Sequence, residues 1–283
     1  MTAPRRAARS GGLLCAIAAS VQTTVAGRRE RVPLDLLVRA ADRARPDGRR
    51  FRDAIGRPGR INVIAECKRR SPARGVLARA YAPADIARRY ERHGAAAISV
   101  LTEPTFFDGD LAHLGAVRAA TSLPLLRKDF IVDGYQVYEA RAAGADAILL
   151  IAALLDPESL GQLARLAAEL GLAAMVEVHS SRELAEARDA GADIIGVNSR
   201  DLRTLAVDMR VCEALAEEAP AGAVMVAESG IRSRDDLNRL AGLGYHAFLV
   251  GERLMTAADP GAALSELLEA AQGGGRVRTG LEA

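Results

Sequence analysis

The chain has 283 residues, 49% hydrophobic and 26% charged, with 26 glycines and 11 prolines, a globular composition with enough apolar material for a large core. A formal net charge of +2 leaves no strong footprint for nucleic acid or a membrane surface. Three scattered cysteines, Cys15, Cys67 and Cys212, form neither a metal-ligand spacing nor a disulfide framework, so a cytoplasmic, reducing setting is expected.

The opening MTAPRRAARSGGLLCAIAASV has the basic start, apolar run and small residues of a signal peptide. Its apolar positions continue, however, as Leu14, Ile17, Val21 and Val25, and spacing of three and four predicts an amphipathic helix running on into charged sequence. No run approaches the ~18 apolar residues of a membrane span. Residues 1–60 are therefore expected to form a helical N-terminal extension, its first 12 residues disordered and its many arginines on a solvated face.

From residue 61 a unit repeats: an apolar run, a polar residue, a loop, then an amphipathic helix closed by glycine. The runs are INVIAE (61–66), AAISVL (96–101), LPLLRK (123–128), DAILLI (146–151), AAMVEV (173–178), DIIGVN (193–198), AVMVAE (223–228) and HAFLVG (246–251). Near-continuous apolarity suits parallel strands covered on both faces. Between them, Pro83 and Pro157 suit first helical turns, Ser180 with Glu183 reads as a capping box, and Asp133 with Gln136 as a weaker one. Gly94, Gly144, Gly171, Gly191 and Gly244 stand where a helix ends in a left-handed residue. Eight such units predict a (β/α)8 TIM barrel over 61–270, with 271–283 as a C-terminal tail. An open doubly wound sheet is the alternative, but no GxGxxG follows the first strand.

In such barrels the chemistry lies at the C-terminal ends of the strands. Strand one ends in Glu66 and then Lys68, strand three in Lys128, and strand five near Glu177. Strand six ends at Asn198, strand seven at Glu228-Ser229, and strand eight at Gly251. Arginine supplies 36 of the 38 basic residues, yet both lysines, Lys68 and Lys128, fall at strand ends. Arginine keeps its proton at any working pH, whereas a desolvated lysine, or one near other cations, shifts its pKa and can donate one. Glu66 and Glu177 supply carboxylates to act as bases or steady a cation.

Glycines in AESGIRS (227–233) and VGERLM (250–255) mark the two loops that commonly bind phosphate through backbone N–H groups. Ser229, Gly230, Gly251 and Glu252 would line that pocket, Glu252 through its backbone. Phe106-Phe107 after strand two suit an apolar wall facing a flat substrate. The histidines at 93, 113, 179 and 246 share no ligand spacing, so no metal is expected, and His179 is read as part of the next helix's entrance.

The segments IAECKRRSPARG (64–75), SVLTEPTFFDGDL (99–111), PLLRKDFIVDGYQVYEARAAGADAILLI (124–151), VEVHSSREL (176–184), GVNSRDLRTLAVD (196–208) and AESGI…FLVGERLM (227–255) together resemble the indole-3-glycerol phosphate synthase family, from about residue 12 to about residue 270. The resemblance implies a cytoplasmic, cofactor-free enzyme of tryptophan biosynthesis. Its substrate is a small phosphorylated molecule, without nucleic acid or membrane, and protein partners stay unspecified. It implies Lys128 as the general acid of ring closure and Glu177 as the stabiliser of a cationic intermediate. Glu66 and Lys68 would serve later proton transfers, Lys68 also contacting substrate anions. Asn198, Arg200 and Ser71 would orient the substrate, Phe107, Phe130 and Leu149 would wall its aromatic ring, and Ser229, Gly230, Gly251 and Glu252 would hold phosphate.

Cys67, Arg70 and Ser199 depart from the family's usual residues without replacing a catalytic side chain. The sister barrel phosphoribosylanthranilate isomerase would need a Cys/Asp pair, and strand alternation turns Cys67 away from Glu66. A catalytically dead binding barrel is opposed by the intact Glu66, Lys68, Lys128 and Glu177.

Overall fold

A computed structural model describes residues 12–269, so the expectations for the first eleven residues and for the tail 271–283 lie outside the described residues. Eight parallel strands close into a barrel: β1 (Asn62–Cys67), β2 (Ala97–Leu101), β3 (Leu125–Lys128), β4 (Ala147–Ile151), β5 (Ala173–Val178), β6 (Ile194–Asn198), β7 (Val224–Glu228) and β8 (Ala247–Val250). Each pairs with its sequence neighbours, and β8 returns to β1 through Ala65 opposite Val250. This is the expected (β/α)8 architecture, and every predicted apolar run contains its strand to within a residue.

Both faces of the sheet are apolar, and alternation sorts the side chains into two cores. Ile64, Leu126, Leu149, Met175, Val226 and Leu249 fill the barrel interior. Val63, Ala65, Cys67, Val100, Val176 and Phe248 pack outward beneath the helices. Parity then places Glu66, Lys128, Glu177, Asn198 and Glu228 inward, at the last interior layer. Cys67 faces the outer core as expected, and burial pushes its thiol well above the usual range.

The five helix-terminal glycines all adopt positive φ, from 73° to 96°. Pro83 and Pro157 open helices, and Asp133 with Gln136 makes a complete capping box. The box at Ser180 differs from expectation. Ser180 accepts from the Glu183 N–H, but the Glu183 carboxylate takes the N–H of His179 instead of that of Ser180.

The extension forms three helices, α1 (Leu13–Arg31), α2 (Leu34–Arg43) and α3 (Gly48–Ile55). The predicted face of α1 is buried: Leu14, Ile17, Val21 and Val25 join the interior core beside Phe130 and Leu149. Phe51 and Ile55 of α3 share that core with Ala147, Ile194 and Val224, plugging the barrel's N-terminal mouth. The buried Asn62 amide ties the plug to the barrel by donating to the carbonyls of Ile55, Arg57 and His246. No helix among the described residues is long and apolar enough to cross a membrane.

Candidate active site

Opposite that plug, the strand ends open into a cleft of about 580 Å³. Strand register explains what meets there. Leu101 pairs with Lys128, Ile151 with Glu177, Asn198 with Glu228 and Leu249 with Glu228, so side chains far apart in sequence arrive at one level. A larger open groove, about 1010 Å³, lies at the N-terminal mouth among Arg49, Arg50, Arg52 and Arg57. None of the strand-end ionisable groups reaches it, so the smaller cleft is the site.

The Lys128 ammonium stands between two carboxylates, 2.9 Å from Glu177 Oε2 and 3.0 Å from Glu228 Oε2. Lys68 pairs with Glu66 at 2.5 Å. Asn198 links the two halves of the site: its Nδ2 donates to Glu177 Oε1 at 3.1 Å, while its Oδ1 accepts from Ser229 Oγ at 2.8 Å. All fourteen predicted site residues line the cleft: Glu66, Lys68, Ser71, Phe107, Lys128, Phe130, Leu149, Glu177, Asn198, Arg200, Ser229, Gly230, Gly251 and Glu252. Ser71 Oγ is buried there without a hydrogen-bond partner among the described residues.

Two glycines make room for the carboxylates. A Cβ on Gly196 would stand 2.3 Å from Glu228 Oε1, and one on Gly251 would stand 1.9 Å from Glu66 Oε2. At Gly251, then, the missing side chain serves Glu66 as directly as any anion. Ser229 and Gly230 both take positive φ, 64° and 76°, which is costly for serine and marks a tightly turned backbone. Beside it, the Glu252 carboxylate contacts Arg74 at 3.4 Å and Arg200 at 3.5 Å, so it is engaged away from any bound anion.

The aromatic wall also forms, with Phe107 and Phe130 at 5.9 Å between ring centroids. Phe107 is held by a feature the sequence did not disclose. The Glu103 carboxylate accepts from the N–H groups of Thr105, Phe106 and Phe107, pinning the short turn Pro104–Phe107. Phe106 packs against the core and does not face the cleft.

The electrostatics correct one expectation. Lys128 was expected to have a loosened proton, but the opposite holds. Burial would loosen it, yet Glu177, Glu228 and Glu66 outweigh burial and keep the ammonium firmly protonated. The two carboxylates on this lysine are driven apart. Burial opposes ionisation of Glu177, but Lys128, His179 and the Asn198 hydrogen bond hold it below the usual range. Burial, with repulsion from Glu177 and Glu66, raises Glu228 to about 7 against the pull of Lys128. Divergent pKa values within one cluster mark acid and base roles. Glu228 was visible as a strand end, but no role was attached to it, and it is the main residue that sequence reasoning missed.

A pH-dependent stability follows. Because folding raises Glu228 above its ordinary 4.5, the wild type carries a penalty that grows above that pH and is complete above about 7. Glu228→Gln is expected to melt higher than wild type at pH 8 and to lose that advantage as pH falls toward 4.5. Calorimetric melts across that range check the sign, and a variant equally destabilised at every pH contradicts it.

Fold and site together define a barrel enzyme whose acid–base cluster opens into a single cleft bordered by a tightly turned, arginine-flanked loop pair. A profile of the indole-3-glycerol phosphate synthase family matches residues 14–267, and the chain belongs to that family. It is 47% identical to the indole-3-glycerol phosphate synthase of Mycobacteroides abscessus over 261 residues, covering 92% of this chain and 95% of that one. With the enzyme of that name from Carboxydothermus hydrogenoformans it shares 51% identity over 211 residues, 74% of this chain and 80% of the relative. A solved 3-hexulose-6-phosphate synthase superposes with a TM-score of 0.58 at 15% identity, over 73% of this chain and 98% of that chain, a likeness of fold alone.

Proposed function

We propose that this chain converts 1-(2-carboxyphenylamino)-1-deoxy-D-ribulose 5-phosphate to indole-3-glycerol phosphate, CO₂ and water. The observation that carries the reading is the Lys128 ammonium bracketed by Glu177 and Glu228 beneath an aromatic wall.

The anthranilate ring lies against Phe107, Phe130 and Leu149, and the phosphate against the turn at Ser229-Gly230 and the Gly251-Glu252 backbone. The aromatic carbon that bears the carboxylate attacks the ribulose carbonyl carbon, and Lys128 gives its proton to the carbonyl oxygen as the C–C bond forms. Its high proton affinity is no obstacle, because the developing alkoxide is a stronger base than either carboxylate beside it. Glu177, held ionised, faces the cationic ring that results. Cleavage of the C–COO⁻ bond releases CO₂ and returns its electron pair to the ring. The new hydroxyl then leaves as water with a proton from an acid of the site, and loss of a ring proton completes the indole. The Lys68–Glu66 pair serves these later transfers, and Glu228, poised near neutrality, is suited to take or return a proton through Lys128. Ser71, Arg200 and Asn198 orient the substrate.

Adding that substrate and following the rise of indole fluorescence tests the reading directly, since a chain with no Trp contributes little background. Absence of the signal with folded protein would sink it.

Ligand stabilisation separates the phosphate assignment from the rest. A bound ligand stabilises the native state by RT ln(1 + [L]/Kd), so saturating product is expected to raise Tm. The dephosphorylated product should raise it much less. Equal shifts from both would remove Ser229, Gly230, Gly251 and Glu252 from the phosphate site.

A further inference from the structure

The proposed reaction gives no task to the histidine beside Glu177. His179 follows the last residue of β5 and precedes Ser180, the N-cap of the helix Ser181–Asp189. Its backbone N–H donates to Glu183 Oε2 at 2.8 Å, and its ring Nδ1 lies 3.3 Å from the same oxygen. Ser180 Oγ in turn accepts from the Glu183 N–H at 3.4 Å, so the helix entrance also clamps the imidazole. The other ring nitrogen, Nε2, is buried and makes no hydrogen bond among the described residues, yet it stands 3.5 Å from Glu177 Oε1.

That oxygen already accepts from Asn198, while Glu177 Oε2 accepts from Lys128. Glu183, His179 and Glu177 thus form a carboxylate–imidazole–carboxylate row leading from the helix to the reacting end of the cleft. A ring that only filled space at the helix entrance would have no need to aim a buried nitrogen at a buried carboxylate.

We propose that His179 is a positioning residue of the reaction: clamped by Glu183, its imidazolium holds Glu177 ionised and in place. This rests on the assignment of Glu177 as the carboxylate that faces the cationic intermediate. The charged groups that bear on the ring are Glu177 on β5, Glu183 on its own helix and Glu228 on β7, with Lys128 of β3 beyond Glu177. Burial disfavours the imidazolium, but the three carboxylates together outweigh it. The sign for Glu177 is fixed by the loss of a cation. Without the imidazolium, its carboxylate takes up a proton at higher pH.

The test is steady-state kinetics against pH for His179→Gln, with His179→Asn as a second variant, in wild-type and Glu177→Gln backgrounds. In the wild-type background kcat should fall between about tenfold and about 100-fold while KM moves less than about threefold. The acid limb of the kcat profile should move to higher pH. In the Glu177→Gln background the histidine substitution should add nothing. Histidine NMR on the wild type and Glu177→Gln needs no histidine variant to fold, and the His179 titration midpoint should drop when Glu177 is neutralised. A kcat within about twofold of wild type with an unmoved acid limb would overturn the proposal, as would a midpoint indifferent to Glu177→Gln. If Glu177→Gln itself turns over at the wild-type rate, it is the assignment of Glu177 that fails, and the row's function fails with it.

Discussion

Lys128→Arg is expected to fold normally and to lose at least about 100-fold in kcat. The guanidinium keeps the positive charge and can reach Glu177 and Glu228 with paired N–H groups, so the buried carboxylates stay compensated. Product should bind within roughly tenfold of wild type. What disappears is the proton. Ring closure needs it aimed at the carbonyl oxygen, and a planar guanidinium held by both carboxylates points its N–H groups elsewhere and displaces its neighbours. Lys68→Arg should be milder in kcat and show more of its effect in KM, because part of that lysine's task is to neutralise anionic groups. Steady-state kinetics on both variants beside circular dichroism decide the matter. If Lys128→Arg keeps more than about a tenth of wild-type kcat, the proton-donor role is wrong.

The second large effect is on stability and concerns the residue just before. Arg127 is fully buried, and its guanidinium meets Asp129 Oδ2 at 2.8 Å, Glu139 Oε2 at 3.3 Å and the Gln136 carbonyl at 2.7 Å. Thr102 Oγ1 donates to Asp129 Oδ2, and Asp129 Oδ1 accepts the N–H of Phe130. Glu139 also carries an ion pair to Arg28 of α1 at 2.8 Å. Arg127→Met matches much of the volume but takes a cation from two buried carboxylates: Glu139 keeps Arg28, while Asp129 keeps only its hydrogen bonds from Thr102 and Phe130. Breaking one side of such a pair typically costs about 3–5 kcal/mol. Urea denaturation should therefore show a loss of that order, with kcat also reduced because Lys128 and Phe130 flank the severed anchor. A loss below about 1 kcal/mol would mean that the network is dispensable.

Arg127 and Lys128 also show how legibility divides. Lys128 stood out because the chain so seldom uses lysine, whereas Arg127 was hidden among 36 arginines. Its burial depends on Glu139, twelve residues on, and on a helix of the extension, which no local pattern reports. The strands were readable because covering both faces with helices makes each a continuous apolar run. The same continuity hides which residues face inward, so only parity from Glu66 and Lys128 separated interior from exterior. Glu228 escaped for a related reason. Its significance is a distance to Lys128, across one hundred residues of chain, and in sequence it is simply a glutamate before a serine and a glycine. Glu103, which fixes Phe107, looked like any acidic residue ahead of a proline.

The plug at the barrel's N-terminal mouth bears on how the molecule is made. Arg52 of α3 donates to the Gly222 carbonyl, 170 residues later in the chain, and Phe51 and Ile55 share one core cluster with Ile194 and Val224. At roughly 5–20 residues per second of synthesis, these apolar side chains leave the ribosome on the order of ten seconds before their partners exist. The nascent extension is then an arginine-rich amphipathic segment with nothing to cover it. Those seconds are when a holding chaperone has a surface to bind, and when neighbouring chains on a polysome can find each other instead.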